Sequence, residues 1–512
     1  MFAFVVRRVV VSFFIVLAST ALMYVLVALS GNPLKDLLEY NGPGREARIA
    51  ARTAALNLDV PIPGRYVLWL QEIGKCIAPG GDECTLGLDR KLRPVLPQLD
   101  VALGSTMRLV IAATVLALLL GVATGVVTAL RQYSTFDYSV TFIAFLCFSL
   151  PVFWVSTLLK QYIAIDLNTW LQDPQLTYAS ISLIGLAAGV IWAVVIGGDA
   201  RRRLVVAAVA GAATSGTLIL LLNVGWFRAP ALGIGGIAVS SLVAAFLWGA
   251  LFAGLRPRTR SVLYASLATA VAGTVTVALA QPLMEGMTWL SFGALALGIV
   301  GLGLVIGYVV GGHTRRLAMQ IAGVTGVSVV VFMAVDQLMR SYPALYDATG
   351  GRPMATTGSE TANLDGTFWE SNLDLTLHLA LPTLAIMLIS FASYTRYTRA
   401  SMLDVMNQDY VRTARAKGLN ERTVVVRHTF RNALIPLATL VAFDFAGVLG
   451  GAVVTETVFG WAGMGKLFTN GLSTTDPNPV MAFFLVTAVA TVLFNMLADI
   501  AYAFLDPRIR LR

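Results

Sequence analysis

Charge is what this chain lacks most. Of its 512 residues only 13% are charged, while 57% are apolar. Soluble proteins run at roughly 25% charged and 45–50% apolar. A soluble fold of this length would need far more charged surface, and a disordered chain would need low hydrophobicity with high charge. Histidine and cysteine are also scarce, with three of each. His313, His378 and His428 are too scattered to suggest a metal site, so no metal and no cofactor is expected. No cluster of Asp, His or Glu at span ends points to a membrane-bound enzyme. Cys147 falls in an apolar run. Cys76 and Cys84 lie close together in sequence, where a disulfide and two free thiols both stay open. What remains is an all-α polytopic membrane protein. The basic excess, 37 Lys and Arg against 28 Asp and Glu, is read as the positive-inside bias of such proteins rather than as a nucleic-acid footprint.

A membrane-spanning helix needs about 20 mostly apolar residues to cross a hydrocarbon core about 30 Å thick. Twelve stretches meet that length: 9–30, 106–130, 138–165, 178–197, 204–224, 231–255, 261–283, 289–311, 317–338, 374–394, 436–456 and 480–505. In lipid they must be helical, because a helix satisfies its own backbone groups. None shows the alternation of a barrel strand. The first follows Arg7 and Arg8 and outruns the 7–15 or so apolar residues of a secretory leader. It is therefore read as a retained span, with a cleaved leader as the alternative.

Arginines mark one set of loops: Arg131, then Arg201, Arg202 and Arg203, then Arg256, Arg258 and Arg260, then Arg315 and Arg316, and finally Arg508, Arg510 and Arg512. The intervening short loops hold little charge. This alternation places both termini in the cytoplasm. Two long loops then fall outside, 31–105 and 339–373. One falls inside, 395–435, with eight basic and three acidic residues.

That inner loop has a local pattern of its own. Asp409 is the expected N-cap of a short helix over Tyr410 to Lys417, and Gly418 suits the left-handed residue that ends it. Asn420 is placed to cap a second helix from Glu421 toward Ile435 and Pro436. The result is a basic helix–Gly–helix element. Two readings fit it: docking into a groove of a soluble partner, or lying on anionic lipid headgroups.

The run Tyr410-Val411-Arg412-Thr413-Ala414-Arg415-Ala416-Lys417-Gly418-Leu419 resembles the cytoplasmic signature loop of bacterial ABC-importer permeases of the dipeptide/oligopeptide/nickel subfamily. The general Glu-Ala-Ala-x3-Gly signature is degenerate, with Arg412, Thr413 and Ala414 in its first positions. The flanks Arg396-Tyr397-Thr398-Arg399 and Arg431-Asn432-Ala433-Leu434-Ile435-Pro436 resemble the subfamily too. So do Gly450 to Gly460, Asp506-Pro507-Arg508, Ser149-Leu150-Pro151 and Gly31-Asn32-Pro33, although Asn32 departs from the usual Asp.

The resemblance implies a type I ABC-importer transmembrane fold and a permease subunit for peptides or related solutes, in a bacterial cell membrane. Such a subunit is not itself an enzyme. The implied partners are a second permease subunit, two cytoplasmic ATPase subunits and an external substrate-binding protein, besides membrane lipid. Arg412, Thr413, Ala414, Arg415, Ala416, Lys417, Gly418 and Leu419 would form the helix that couples to the ATPase. Ala414, Ala416 and Gly418 would allow close approach, and Arg412, Arg415 and Lys417 would meet acidic groove residues. Loop 31–105 and segment 457–479 are the expected places for binding-protein contacts.

The resemblance covers about 1–165 and 372–512. The expected organisation is an N-terminal span and external loop (1–103), a first permease part (104–172), an inserted six-span module (173–371) and a second permease part (372–512). About twelve spans result, six family-like and six inserted. The insert reads as a lipid-facing bundle or as a platform for another membrane partner.

Three acidic residues sit at or near spans: Asp444, Glu456 and Asp499. They line a pathway, pair with bases, or mark span ends near the interface; an ionisable group in a span is often functional. The run Gly460-Trp461-Ala462-Gly463-Met464-Gly465-Lys466 imitates the start of a P-loop. Leu467 stands where a Ser or Thr would bind Mg²⁺, so it is read as an external turn. A secondary transporter is the alternative function. It predicts repeated halves and broken helices with buried ionisable groups, and no such repeat is visible.

Overall fold

The computed structural model describes residues 2–77, 84–254 and 260–505. Among them the chain is helical, with one isolated antiparallel bridge between Leu88 and Pro94. Helix α1 (Phe2–Leu29) leads into three short helices, α2 (Lys35–Glu39), α3 (Arg45–Ala55) and α4 (Ile62–Ile77). Then come α5 (Val95–Leu130), α6 (Thr135–Ser149), α7 (Val152–Leu158), a π-helical turn at Leu159–Ile165 and α8 (Asp166–Gln172). The middle of the chain forms α9 (Tyr178–Ile196), α10 (Ala200–Val224), α11 (Gly233–Phe252), α12 (Arg260–Ala280), α13 (Trp289–Val310), α14 (Arg315–Arg340) and α15 (Tyr342–Ala348). The last third forms α16 (Phe368–Met406), α17 (Asp409–Ala416), α18 (Glu421–Thr423), α19 (Arg431–Gly451), α20 (Val453–Phe459), α21 (Met464–Ser473) and α22 (Pro477–Leu505).

Among the described residues, ten helical stretches are long and apolar enough to cross a membrane. Two of the expected spans are not single rods. Stretch 138–165 bends by 103° between α6 and α7. The break falls at Leu150, which is extended at φ −81° and ψ 129°. Pro151 explains it: its ring disfavours helical geometry in the preceding residue, and it lacks an N–H to continue the ladder. Counted as one span, the bent pair makes eleven. Stretch 436–456 divides between α19, which ends at Gly451, and α20, so Glu456 stands on a separate short helix.

The centre of the fold is the packing of α5 on α16. Ala113, Ala117, Gly121, Gly125 and Ala129 recur at every fourth residue of α5 and are all buried. Spacing of four keeps them on one face. A Cβ at Gly121 would lie 2.6 Å from Tyr394 Cβ, and one at Gly125 would lie 2.6 Å from Thr398 Cβ. Only glycine permits this approach of the two backbones. The same pairing joins the chain before residue 131 to the chain after residue 367. Around it pack α6, α19 and α22, with α1 against α22.

The middle helices make two units. The hairpin α9–α10 pairs with itself and touches α6. Helix α10 buries none of its residues and presents Leu204, Val205, Val209 and Leu220 outward, as a lipid-facing surface would. Helices α11 to α14 pack as a bundle. It is stapled by Asp336, whose fully buried carboxylate accepts the N–H groups of Leu232 (2.9 Å) and Gly233 (2.7 Å) at the start of α11 and Arg340 Nε (2.7 Å). Trp369 Nε1 donates to the Met284 carbonyl at 3.0 Å and fastens the bundle to α16.

Candidate functional site

Loop 395–435 is more helical than its sequence suggests, since α16 runs on to Met406. Gln408, not Asp409, stands at the N-cap of α17, without a side-chain cap bond. Asp409 is the first helical residue, where a carboxylate favours the helix dipole. Gly418 has φ +74° and ends the helix as expected. Asn420 accepts the Arg422 N–H at 3.1 Å and caps α18. A π-helical turn, Val424–Phe430, carries α18 into α19.

Helix α17 has two faces. Val411 and Ala414 are buried against Val424 and Val405. Arg412, Thr413, Arg415, Ala416, Lys417, Gly418 and Leu419 are exposed. The expectation that Ala414 lends close approach to a partner is therefore corrected: at three residues from Val411 it turns inward with it. Arg415 is also committed, pairing with Glu421 at 2.7 Å. That exposed pair closes the turn around Gly418. The loop is anchored by Arg399 on α16, which holds the buried Asp137 of α6 through Nε at 2.8 Å and Nη2 at 3.0 Å.

At the other end of α19, Glu456 is fully buried. Its carboxylate accepts the Thr106 hydroxyl (2.6 Å) and the N–H groups of Gly465 (2.7 Å) and Lys466 (3.2 Å). Thr106 in turn accepts the Met464 N–H at 2.8 Å. Three orphan donors at the start of α21 are thus satisfied by two side chains. The run Gly460 to Lys466 does what a P-loop does, offering backbone N–H groups to an anion, but its anion is the protein's own glutamate. Gly463 and Gly465 leave room for it: a Cβ on either would collide with Glu456.

Asp444 accepts the hydroxyl of the fully buried Tyr394 at 2.7 Å. Glu456 and Asp444 are therefore both hydrogen-bonded to α5 or α16. The side chain of Asp499 lies outside the described residues, as does the segment Asp506 to Arg508. Cys76 and Cys84 form a disulfide, and Cys147 is a free thiol. His378 Nδ1 lies 2.9 Å from the Asp374 carbonyl, on its own helix. Among the described residues no group of three or more His, Cys, Asp or Glu is arranged to hold a metal ion.

The two regions expected to meet a binding protein meet each other. The Arg90 N–H donates to Asp476 at 2.6 Å, and its guanidinium reaches Asp36 and the Thr474 carbonyl. Asn478 donates to the Leu88 carbonyl at 2.7 Å. Residues 457–479 and the 31–94 cap thus form one surface. Beside it, a cavity of about 910 Å³ opens between α8, segment 348–362 and His378.

The sequence reading missed Thr106, Asp137, Asp336 and the role of Arg422 described below. Each partner pair is far apart in the chain or depends on how helices pack.

A polytopic helical bundle with a projecting basic helix–Gly–helix loop is the build of a membrane transport permease. The family model "Binding-protein-dependent transport system inner membrane component" matches residues 303–511. The oligopeptide transport system permease protein OppB of Mycobacterium tuberculosis is 38% identical over 226 residues, covering 42% of this chain and 70% of the relative. The oligopeptide transport system permease protein AppB of Bacillus subtilis is 44% identical over 154 residues, covering 30% and 48%. The dipeptide transport system permease protein DppB of Escherichia coli is 39% identical over 146 residues, covering 28% and 42%. The chain belongs to the family of binding-protein-dependent transport system inner membrane components, as a multi-pass permease subunit of an ATP-binding-cassette importer.

Proposed function

We propose that this permease carries peptides, with both termini and loop 395–435 in the cytoplasm. Loop 395–435 presents the outward face of α17, from Arg412 to Leu419, to a groove of an ATP-binding-cassette ATPase. The working complex holds a second permease subunit, two ATPases and an external substrate-binding protein. The binding protein docks on the joint surface of the 31–94 cap and residues 457–479. The observation that carries this reading is the two-faced α17: Val411 and Ala414 on its inner face pack on Val424, while Arg412, Thr413 and the run Arg415 to Leu419 are exposed and mostly basic or small. Names of the relatives support a peptide cargo. ATP closure of the two ATPases would then rock the spans between two states as rigid bodies.

Residues 173–371 are proposed as an inserted six-span module. The packing supports it, since α5 to α8 and α16 to α22 pack directly on each other, while α9 to α14 touch them mainly at α6 and α16. The family match begins earlier, at residue 303 within α13, so the boundary near 371 rests on packing.

The test is ATP-dependent uptake of labelled di- and oligopeptides by the reconstituted complex. Gly418→Asp is expected to reduce uptake about tenfold or more while the complex still assembles. At φ +74° any side chain is strained there, and an acidic one opposes an acidic groove. Wild-type uptake by that variant would overturn the coupling role.

A further inference from the structure

Arg422 lies on the loop side, in α18, yet it reaches the proposed inserted module. Its Nη1 donates to the Phe252 carbonyl at 3.1 Å, and its guanidinium stands 6.0 Å from the Phe252 ring centroid. Phe252 is the last residue of α11. Carbonyls of a final helical turn have no partner within the helix, and a cation there is favoured by the helix dipole. The Gly249 and Ala250 carbonyls are taken by the N–H groups of Ala253 and Gly254. Arg422 serves Phe252. We propose that Arg422 is a positioning residue which ties the α11–α14 bundle to the ATPase-coupling loop, bracing that loop in one transport state and releasing it in the other.

Both sides of the contact are built to transmit movement. On the bundle side, Asp336 pins the start of α11, and Trp248 both packs on Phe252 (5.9 Å between centroids) and donates to Ser328 of α14 at 3.0 Å. Trp369 then fastens the bundle to α16. On the loop side, Glu421 pairs with Arg415 of α17, and Val424 packs on Val411 and Ala414. A shift of α17 therefore carries Arg422 with it. Among the described residues the contact is one exposed hydrogen bond and one ring contact, weak enough to break on each cycle. An interaction made in one state and lost in the other shifts their ratio by its own differential strength.

The inference rests on the coupling role proposed for α17. It is tested in the complete reconstituted complex with Cys147→Ser as background. Arg422→Cys with Phe252→Cys is oxidised without nucleotide and after trapping with ATP and vanadate. The crosslink yield is expected to differ at least about fivefold between the two conditions. Equal yields in both, or no crosslink in either, would overturn the brace. Arg422→Ala is expected to change the ratio of peptide-stimulated to basal ATPase activity about two- to fivefold, with the peptide KM unchanged and with rescue by Arg422→Lys. An unchanged ratio counts against the brace alone if Gly418→Asp uncouples transport. If Gly418→Asp leaves uptake intact, it is the coupling role that fails.

Discussion

Thr106 and Glu456 stand 350 positions apart in sequence and 2.6 Å apart in space. Between them they hold the first turn of α21 by its backbone. Gly463 and Gly465 make room for that contact, because a side chain at either would occupy the carboxylate's place. Segment 457–479 is therefore a fixed plug keyed into α5 rather than a free loop.

Glu456→Ala should destabilise the permease by about 2–4 kcal/mol, since it orphans two buried N–H groups and the Thr106 hydroxyl together. Glu456→Gln keeps an acceptor oxygen and should lose less. Gly465→Ala should resemble Glu456→Ala, because the added methyl meets Val453 and Glu456. Thermal unfolding in detergent checks all three. A wild-type melting curve for Gly465→Ala would contradict the keyed geometry.

Arg399 neutralises an aspartate that is only 2% exposed, while itself 29% exposed. Removing the arginine strands a buried charge, so Arg399→Ala should cost about 3–5 kcal/mol. Asp137→Asn should cost less, and the double variant should recover part of the loss. If the two single losses simply add, the pair is not an interacting unit.

The α5–α16 crossing offers a sharper contrast. Gly125→Val should prevent assembly or destabilise by about 3 kcal/mol or more, because the new Cβ would lie 2.8 Å from the Thr395 carbonyl oxygen as well as 2.6 Å from Thr398 Cβ. Gly104→Ala, in the same helix with open space at its Cβ, should be neutral or stabilising by about 0.5–1 kcal/mol. Equal effects of the two would mean that backbone propensity, not helix contact, governs this face.

What the sequence revealed about the fold followed the range of the forces involved. Span positions were legible because lipid imposes a length on any apolar helix. Gly418 and Asn420 were legible because left-handed geometry and capping are local chemistry. The Asp409 cap was misplaced by one residue, within the ordinary uncertainty of helix ends. The break at Leu150 had a local signal in Pro151, but the long apolar run around it outweighed that signal. The inward turn of Ala414 follows from its spacing to Val411 once the buried side of α17 is known. Thr106–Glu456, Asp137–Arg399 and Arg422–Phe252 had no local signal, since each depends on which helices become neighbours.

Asp476 gives a pH-dependent prediction. It is 5% exposed, one carboxylate oxygen accepts the Arg90 N–H, and the other has no hydrogen-bond partner. Burial pushes its pKa up from 3.8 to about 6, with the nearby Asp89 adding to the rise and the Arg90 N–H opposing it. The folded state therefore holds this proton more tightly than the unfolded chain does. Its contribution to stability is fully present below pH 3.8 and is lost as pH rises through about 6. At pH 7.5 the charged, half-satisfied carboxylate is a liability on the order of 1–3 kcal/mol. Asp476→Asn keeps an acceptor for Arg90 and cannot ionise. It should raise the melting temperature at pH 7.5 and have little effect near pH 4. The difference between variant and wild type should grow mainly between those values. A difference that stays constant across the range would assign the effect to packing and remove the titration of Asp476 as its cause.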